Sequence, residues 1–563
     1  MKDKPSCKMV SRSAIALAAS VAFGYAGIAL AACPVETAAD GMRITDGSHC
    51  EAFLSAYNKT AGIFGVLHTV GLGAQLTHNG TPTITVSSSS DYAYGVIAEG
   101  DSEIFVRGAT VNQTGTGQSS SGVRASDSAK ITFTENLTIT TSSIGSRGVY
   151  VSGPVSGTSA EVILNDNGTS TTSITTNGLS APAFQIGKMP APAHGSGTLS
   201  AKGRLEATTT ALSIETPLAS STSPALYLGY SGSLFEAAYP TSSGFLRSRT
   251  RTVLLDAGTG MAVNMRDYTV SSTGSGTTMA TIYVGGGAVD SAITFYGSTV
   301  SAPGSGYLML SEGRAINATS FVPTGTAGVV PSNVALFAEA QTQLTGSIRT
   351  HTSSVLEVTL DDSTWTLAGY GSSLSTESTL TSLTLQNGAV LNAGAGAAIA
   401  NFTVTAGAVY NTGGNISLAD GGVSDRLTIN SDLTLANGRI SIDTELNDDT
   451  SSTDRLVVTG DMTGNGVLNV TNVGGLGAAT TNGILVVEVQ GNASGATLSL
   501  AAPLIVDEWQ YSLVKNGNNW YLRSHQRGPA NVTPVPVNAP WAMAILGLMI
   551  SGFVFRTLRR RQT

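Results

Sequence analysis

Short segments of small and β-branched residues return along this chain at a nearly constant spacing. Gly95-Val-Ile-Ala98, Gly122-Val-Arg-Ala125 and Gly148-Val-Tyr-Val151 lie 27 and 26 residues apart. The first two are each followed by a second β-branched run, Glu103-Ile-Phe-Val106 and Lys130-Ile-Thr-Phe133. Looser echoes continue at Ala183-Phe-Gln-Ile186, Ala225-Leu-Tyr-Leu228, Ala280-Thr-Ile-Tyr-Val284, Gly306-Tyr-Leu-Met-Leu310 and Val334-Ala-Leu-Phe337. A unit of this length cannot bury its own apolar face, so successive units must stack on one another. The expected fold is therefore all-β: a solenoid of coils. The competing arrangement, an array of β-sandwiches, would show more regular domain-sized punctuation. At roughly 20 to 27 residues per coil, the body would hold on the order of 20 coils and be roughly 80–110 Å long.

Composition agrees with one repetitive body. Charged residues make up 12%, glycine supplies 66 positions and the net charge is −8. Disorder needs few apolar residues and a high net charge, whereas 41% of this chain is hydrophobic. Thr, Val and Ile alternate with Ser, Asn and Gly, which suits half-buried strands broken by tight turns. Lys and Arg are scattered through the body and cluster only at the ends, so no nucleic-acid stripe is present.

The first 32 residues read as a secretory signal: Lys2, Lys4, Lys8 and Arg12 precede an apolar run from Ala14 to Ala29, with small residues before Cys33. Cys7 leaves with it. Cys33 and Cys50 remain, in a compartment where disulfides persist, and pairing them is the adopted reading. A second reading stays open, since Leu30-Ala31-Ala32-Cys33 resembles the lipobox of bacterial lipoproteins and would lipidate Cys33. Residues 33–80 differ from the repeats beyond them and are expected to cap the open end of the solenoid, with a short helix over Glu51–Tyr57. The body is assigned to 81–355.

Further along, Asp362-Ser-Thr-Trp-Thr-Leu367, Ser382-Leu-Thr-Leu-Gln-Asn-Gly388, Asp425-Arg-Leu-Thr-Ile429 and Asp454-Arg-Leu-Val-Val-Thr-Gly460 form a connected pattern. Val473-Gly-Gly475, Gly483-Ile-Leu-Val-Val-Glu-Val489 and Trp520-Tyr-Leu-Arg523 extend it. Together these resemble the pertactin-like C-terminal autochaperone segment of autotransporter passengers, here over 356–524. The resemblance implies a right-handed parallel β-helix whose last coils are the most stable and help the rest fold after export. Such proteins continue into a helix and an outer-membrane barrel. Only about 40 residues follow Arg523, without alternating ten-residue strands, so self-translocation is not expected of this chain.

The tail offers another device. A Pro-rich linker over 525–540 leads to Trp541 and an apolar run over 541–555. Read as a transmembrane helix, this run spans about 20 Å and is short for a bilayer core of about 30 Å. Trp541, Arg556, Arg559, Arg560 and Arg561 would then anchor it, with 556–563 a basic cytoplasmic tail. The same features resemble PEP-type and IPTL-type sorting signals, which implies a sorting protease as a partner; Val535-Pro-Val-Asn-Ala-Pro-Trp541 meets that motif loosely.

No catalytic constellation emerges. His49, His68, His78, His194, His351 and His525 are scattered and read as solvated loop or cap residues. Asp443, Glu445, Asp448, Asp449 and Asp454 read as a solvated turn rather than a cation site, and Asp361 and Asp362 as turn residues. Tyr92, Tyr94, Tyr150, Tyr227, Tyr230 and Tyr283 are expected to stack along the coil, and if exposed would suit contact with glycan or protein. No cofactor or metal is expected. The reading is a non-enzymatic, exported passenger-like rod with an adhesive or surface-interaction role, tethered to a membrane or sorted to the surface of a Gram-negative-type bacterium. Its rivals are a carbohydrate-active β-helix enzyme, which would gather carboxylates on one face of adjacent coils, and a decayed autotransporter that lost its barrel.

Overall fold

A computed structural model of the chain describes residues 33–62, 64–154, 159–187, 195–209, 223–274, 279–304, 306–317, 319–369, 376–394, 400–528 and 540–559. The signal sequence, His194, most of the Pro-rich linker, Arg560 and Arg561 fall outside them.

The first coil consists of three short strands, Met42–Ile44, His49–Ala52 and Ala56–Lys59. Each pairs in parallel with its equivalent one coil on, with Met42 opposite Leu67, Cys50 opposite Leu76 and Tyr57 opposite Ile84. The same parallel pairing of strands with their equivalents one coil on, repeated up to the C-terminal end, makes a three-faced solenoid of about 15 turns. At roughly 4.8 Å per coil this rod is about 70 Å long. That is shorter than the spacing of the repeats suggests, because some coils carry insertions: Val149 is opposite Phe184, and Phe184 is opposite Leu226.

The repeats singled out in the sequence are one face of this solenoid. Their inward column runs Leu67, Val96, Val123, Val149, Phe184, Leu226, Val253, Ile282, Met309 and Ile348. All ten are fully buried, and each such side chain contributes about 1.5–3 kcal/mol by leaving water. The glycines that open these repeats have a packing reason. A Cβ on Gly122 would lie 2.5 Å from Ile139 Cγ2, and one on Gly95 would lie 2.6 Å from Val111 Cγ1. The last echo, Val334–Phe337, belongs instead to the second face: Asn333–Glu339 pairs with Ser291–Tyr296 and Val355–Asp361.

The helix expected over Glu51–Tyr57 is not formed. Burial alternates along both strands there, with Cys50, Ala52, Tyr57 and Lys59 turned inward, so the apolar period is that of a strand. Coils already stack from Met42, well before residue 80. The residues ahead of it fold back onto the first coil, where the Glu36 carboxylate accepts the backbone N–H groups of Phe53 and Leu54 at 3.0 Å each. A disulfide joins Cys33 to Cys50, with the Cα atoms 5.6 Å apart.

The far end is built differently. Strands lengthen to Asn401–Thr412, Arg426–Thr444 and Met462–Asn472, each running across what were separate short strands. Ile484–Val489 then pairs antiparallel with Asn519–Gln526, which forms a hairpin with Trp509–Asn516. This hairpin covers the edge that a parallel stack would leave open. Trp520 and Leu522, both buried, fill the last coil from it.

Residues Pro540–Arg559 form a helix whose apolar side chains, among them Met543, Leu548 and Phe553, are exposed. Among the described residues no helix is long and apolar enough to cross a membrane. The transmembrane assignment to 541–555 is thus not supported: the run is short for a bilayer core, and Gly547, Ser551 and Gly552 dilute it before Arg556 ends it.

Candidate functional site

On each strand of the first face, the residue after the core position points away from the core and falls into register with its counterparts. This outward column reads Arg43, His68, Ile97, Arg124, Tyr150, Gln185, Tyr227, Leu254, Tyr283, Leu310 and Arg349. It is an unusual outer surface, because much of it is covered. Tyr150, Gln185, Tyr227, Leu254 and Tyr283 are at most 1% exposed. Over the later coils part of the cover is the segment around Ile316 and Phe321, with the Phe321 ring 4.9 Å from that of Tyr227 in an edge-on contact.

Arginine and tyrosine pair repeatedly along this face. Arg124 donates from Nη1 to the Tyr94 hydroxyl at 2.7 Å and lies 5.7 Å from the Tyr150 ring. Arg147, three residues before Tyr150 on the same strand, lies 5.4 Å from its ring and hydrogen bonds to Gln185 and to the Gly145 carbonyl. Arg251 lies 4.9 Å from the Tyr283 ring, and Arg349 donates to the Tyr307 hydroxyl at 3.1 Å. Guanidinium groups tolerate such sites because they are weakly hydrated and stack on aromatic faces. Burial pushes Arg147 below its ordinary pKa and raises Tyr94 and Tyr150. The Tyr227 hydroxyl is raised as well, by burial and by the Asp256 carboxylate to which it donates at 2.8 Å.

Among the described residues no such cover lies over the first coils, and there the column opens into a cleft. Phe64, His68, Tyr92, Tyr94, Ile97, Glu99 and Arg124 line a cavity of about 240 Å³. Phe64 and Tyr92 are about half exposed, whereas His68 is 1% exposed. The Arg43 guanidinium lies 4.1 Å from the Phe64 ring centre, and the His68 and Phe64 rings stack at 6.0 Å. His68 Nε2 is 3.0 Å from Glu99 Oε2, and Arg124 is 4.0 Å from Glu99 Oε1. Burial alone would raise Glu99, but the His68 hydrogen bond and the charge of Arg124 hold it below the usual carboxylate value. Tyr92 adopts φ 61°, the left-handed region that bulky residues rarely enter.

Of the tyrosines expected to stack along the coil, Tyr94, Tyr150, Tyr227 and Tyr283 are buried and Tyr92 stands at the surface; the ring contact made by this set is that of Tyr227 with Phe321. The arginines between them are not legible as a set. Arg124 meets Tyr94 across 30 residues, and Arg349 meets Tyr307 across 42. The histidines are also not uniformly solvated: His68 is bound to Glu99, and buried His78 contacts the Leu54 carbonyl at 3.0 Å.

The acidic residues near the C-terminal coils divide into two kinds. Asp449 is half-buried and accepts the backbone N–H groups of Thr481, Asn482 and Gly483. Asp425, Asp443 and Asp454 are buried and on neighbouring coils, which corrects the solvated-turn reading for the latter two. Asp454 accepts from the backbone N–H of Asp425 at 3.0 Å and of Asp443 at 2.8 Å, and Asp443 accepts from Asp420 and Gly421. These carboxylates tie corners of the coil together. Among the described residues no group of three or more His, Cys, Asp or Glu is arranged to hold a metal ion. Asp361 accepts from the side chains of Gln386 and Asn387, and Asp362 sits at φ 45° in a turn.

Comparison with known proteins places the C-terminal coils. Residues 378–513 match the family described as autochaperone domain type 1. The uncharacterized protein YuaQ of Escherichia coli K12 is 36% identical over 140 residues, 24% of this chain and 10% of that protein. The adhesin BmaC autotransporter of Brucella suis is 40% identical over 120 residues, covering 19% of this chain and 4% of its own. The autotransporter adhesin AIDA-I of Escherichia coli is 37% identical over 92 residues, 15% of this chain and 7% of the adhesin. The matched stretches thus span a tenth or less of these relatives. With a parallel β-solenoid ending in an autochaperone match at 378–513, the chain resembles an autotransporter passenger.

Proposed function

We propose that the chain acts outside the cytoplasm of a Gram-negative bacterium as a non-enzymatic adhesive passenger, displayed at the cell surface and binding glycans or proteins there. The observation that carries this reading is the junction of a solenoid of about 15 turns with autochaperone-type coils at its C-terminal end. Two relatives that share those coils are named adhesins. A solenoid suits the role physically, because stacked coils hold a long side surface rigid while loops vary along it. The buried aspartates bind backbone N–H groups within the coil, which is architecture rather than a carboxylate pair facing a substrate groove.

Two measurements test this. Protease shaving of intact host cells should remove the coil residues from the cell-associated protein. Deleting the chain should lower attachment of those cells to matrix polymers or neighbouring cells, and re-expression should restore it. A protein inaccessible to protease, together with unchanged attachment after deletion, would sink the adhesive reading.

A further inference from the structure

Resting on that adhesive reading and going further, we propose that the cleft over the first coils is a saccharide-binding subsite for a single sugar ring. Two features of the cleft point there. The first is exposed aromatic surface: Phe64 is 46% exposed and Tyr92 50% exposed beside the cavity, although most aromatic rings of this solenoid are buried. Holding the Tyr92 ring there takes a left-handed backbone at φ 61°, a conformation that works against folding and persists only where the surroundings impose it. A sugar ring has an apolar C–H face that packs on such a platform, and aromatic side chains bring large contact area with little entropy lost.

The second feature is an unmet pair of polar atoms. His68 Nε2 donates to Glu99, which in the neutral imidazole leaves Nδ1 as a lone-pair acceptor. Among the described residues that buried Nδ1 has no hydrogen-bond partner, and neither has Arg124 Nε, a donor. Buried polar atoms normally find partners, and leaving one unmet works against stability. His68 and Arg124 line the same cavity, and one lone-pair acceptor and one N–H donor match hydroxyl groups, each of which both donates and accepts. A ring with an apolar face and hydroxyls on its edge satisfies both features at once. The cavity, about 240 Å³, is smaller than the 300–1,000 Å³ of clefts that take drug-sized molecules, so it fits one ring of a chain rather than a long segment. An extended peptide would rather seek a free strand edge, and the strands beneath this cleft are paired on both sides.

The test applies the full chain, secreted and intact, to an array of defined saccharides bearing terminal glucose, galactose, N-acetylglucosamine, glucuronic acid or N-acetylneuraminic acid. At least one should bind, and the response separates neutral from anionic rings. Tyr92→Ala and Arg124→Gln should each lower that binding at least tenfold. Tyr410→Ala, which alters an exposed ring on the C-terminal coils, should leave it unchanged. Thermal unfolding of Tyr92→Ala should match the parent, so that loss of binding reports the cleft. Absence of binding to every saccharide overturns the proposal, as does binding that survives both cleft substitutions. Peptide-array binding abolished by the same substitutions would also overturn it, assigning the cleft to peptide. Cells that still attach through the Tyr92→Ala protein while the array stays blank would refute the subsite and leave the adhesive reading standing.

Discussion

The first eleven coils and the last four or five are stacked by the same parallel pairing yet are finished in opposite ways. In the body each coil has three main strands of three to seven residues, two coils adding a two-residue strand, and its outer face carries side chains that are themselves covered. In the C-terminal coils strands reach 19 residues, corners are tied by buried aspartates, and a hairpin closes the stack. A solenoid's stability is close to a sum of nearest-neighbour terms. Long, uninterrupted strands with a closed end concentrate those terms locally. Short strands with insertions spread them and leave surface for other uses. The C-terminal coils are therefore expected to be the more stable end of the solenoid, and five substitutions test the comparison.

The largest effect should come from removing a buried ring at each end. Trp520→Ala and Phe184→Ala both delete fully buried aromatic side chains, and each should lower stability by about 3–5 kcal/mol. Their reach should differ. Phe184 packs in a coil flanked by Val149 and Leu226, so hydrogen exchange should quicken over those neighbours and leave 401–526 protected. Trp520 lies opposite Val487 and Lys515 in the closing hairpin, so its loss should expose the terminal coils and lower the refolding yield of the whole chain. Equal refolding yields for the two variants would break the comparison.

The second effect is a pH dependence confined to the C-terminal coils. Burial raises Asp454 from an ordinary value of 3.8 to about 7. A carboxyl whose folded value is raised favours folding most where it is protonated in both states, and that advantage is lost as pH rises through the folded value. The C-terminal unfolding midpoint in guanidinium should thus fall between pH 5 and pH 8. Asp448 and Asp449 are lowered, by hydrogen bonds from Thr450 and from the backbone of Asn482 and Gly483 respectively. Their contributions are lost only as pH falls into the acid range, below this window. Asp454→Asn should flatten the slope. It should also lower stability at pH 5 by about 1–3 kcal/mol, because the amide keeps one oxygen for two backbone donors. An unchanged slope in that variant would move the pH dependence to another group.

How far all this could be read from the chain alone depends on the sequence distance of each interaction. The 26–27-residue repeats report the inward column directly, since each core position is local to its own repeat and meets its copy in register. The autochaperone coils were legible from Asp425, Asp454 and Trp520 in their short motifs. The cleft was not, because Phe64, His68, Glu99 and Arg124 come from three successive coils and none stands in a recognisable pattern. The alternation at Cys50, Ala52, Tyr57 and Lys59 was readable as strand, but small residues around Phe53 also satisfy a helix over so short a run. Asp443 and Asp454 look solvated beside Asp448 and Asp449 because burial there depends on the next coil, 20 to 30 residues away.

The smallest effect separates the two regions by charge alone. In the C-terminal coils Arg426 and Arg455 are directly paired, and Glu488 bridges them at 4.0 and 3.8 Å. In the body Lys130 is flanked by Glu103 and Glu161 on the coils before and after it, and lies 2.9 Å from Glu161. All of these groups are partly exposed, so each substitution should shift stability by less than about 1 kcal/mol. Glu488→Gln leaves two guanidiniums on adjacent coils, about 4.8 Å of stacking apart, whereas Lys130→Gln leaves two carboxylates about twice that distance apart. Repulsion falls with separation and is screened over about 8 Å in physiological salt. Glu488→Gln should therefore shift the unfolding midpoint more than Lys130→Gln in low salt, and the difference should disappear near 1 M salt. A larger effect at Lys130 would mean that the two regions differ in local packing around their charges, beyond the spacing of the charges themselves.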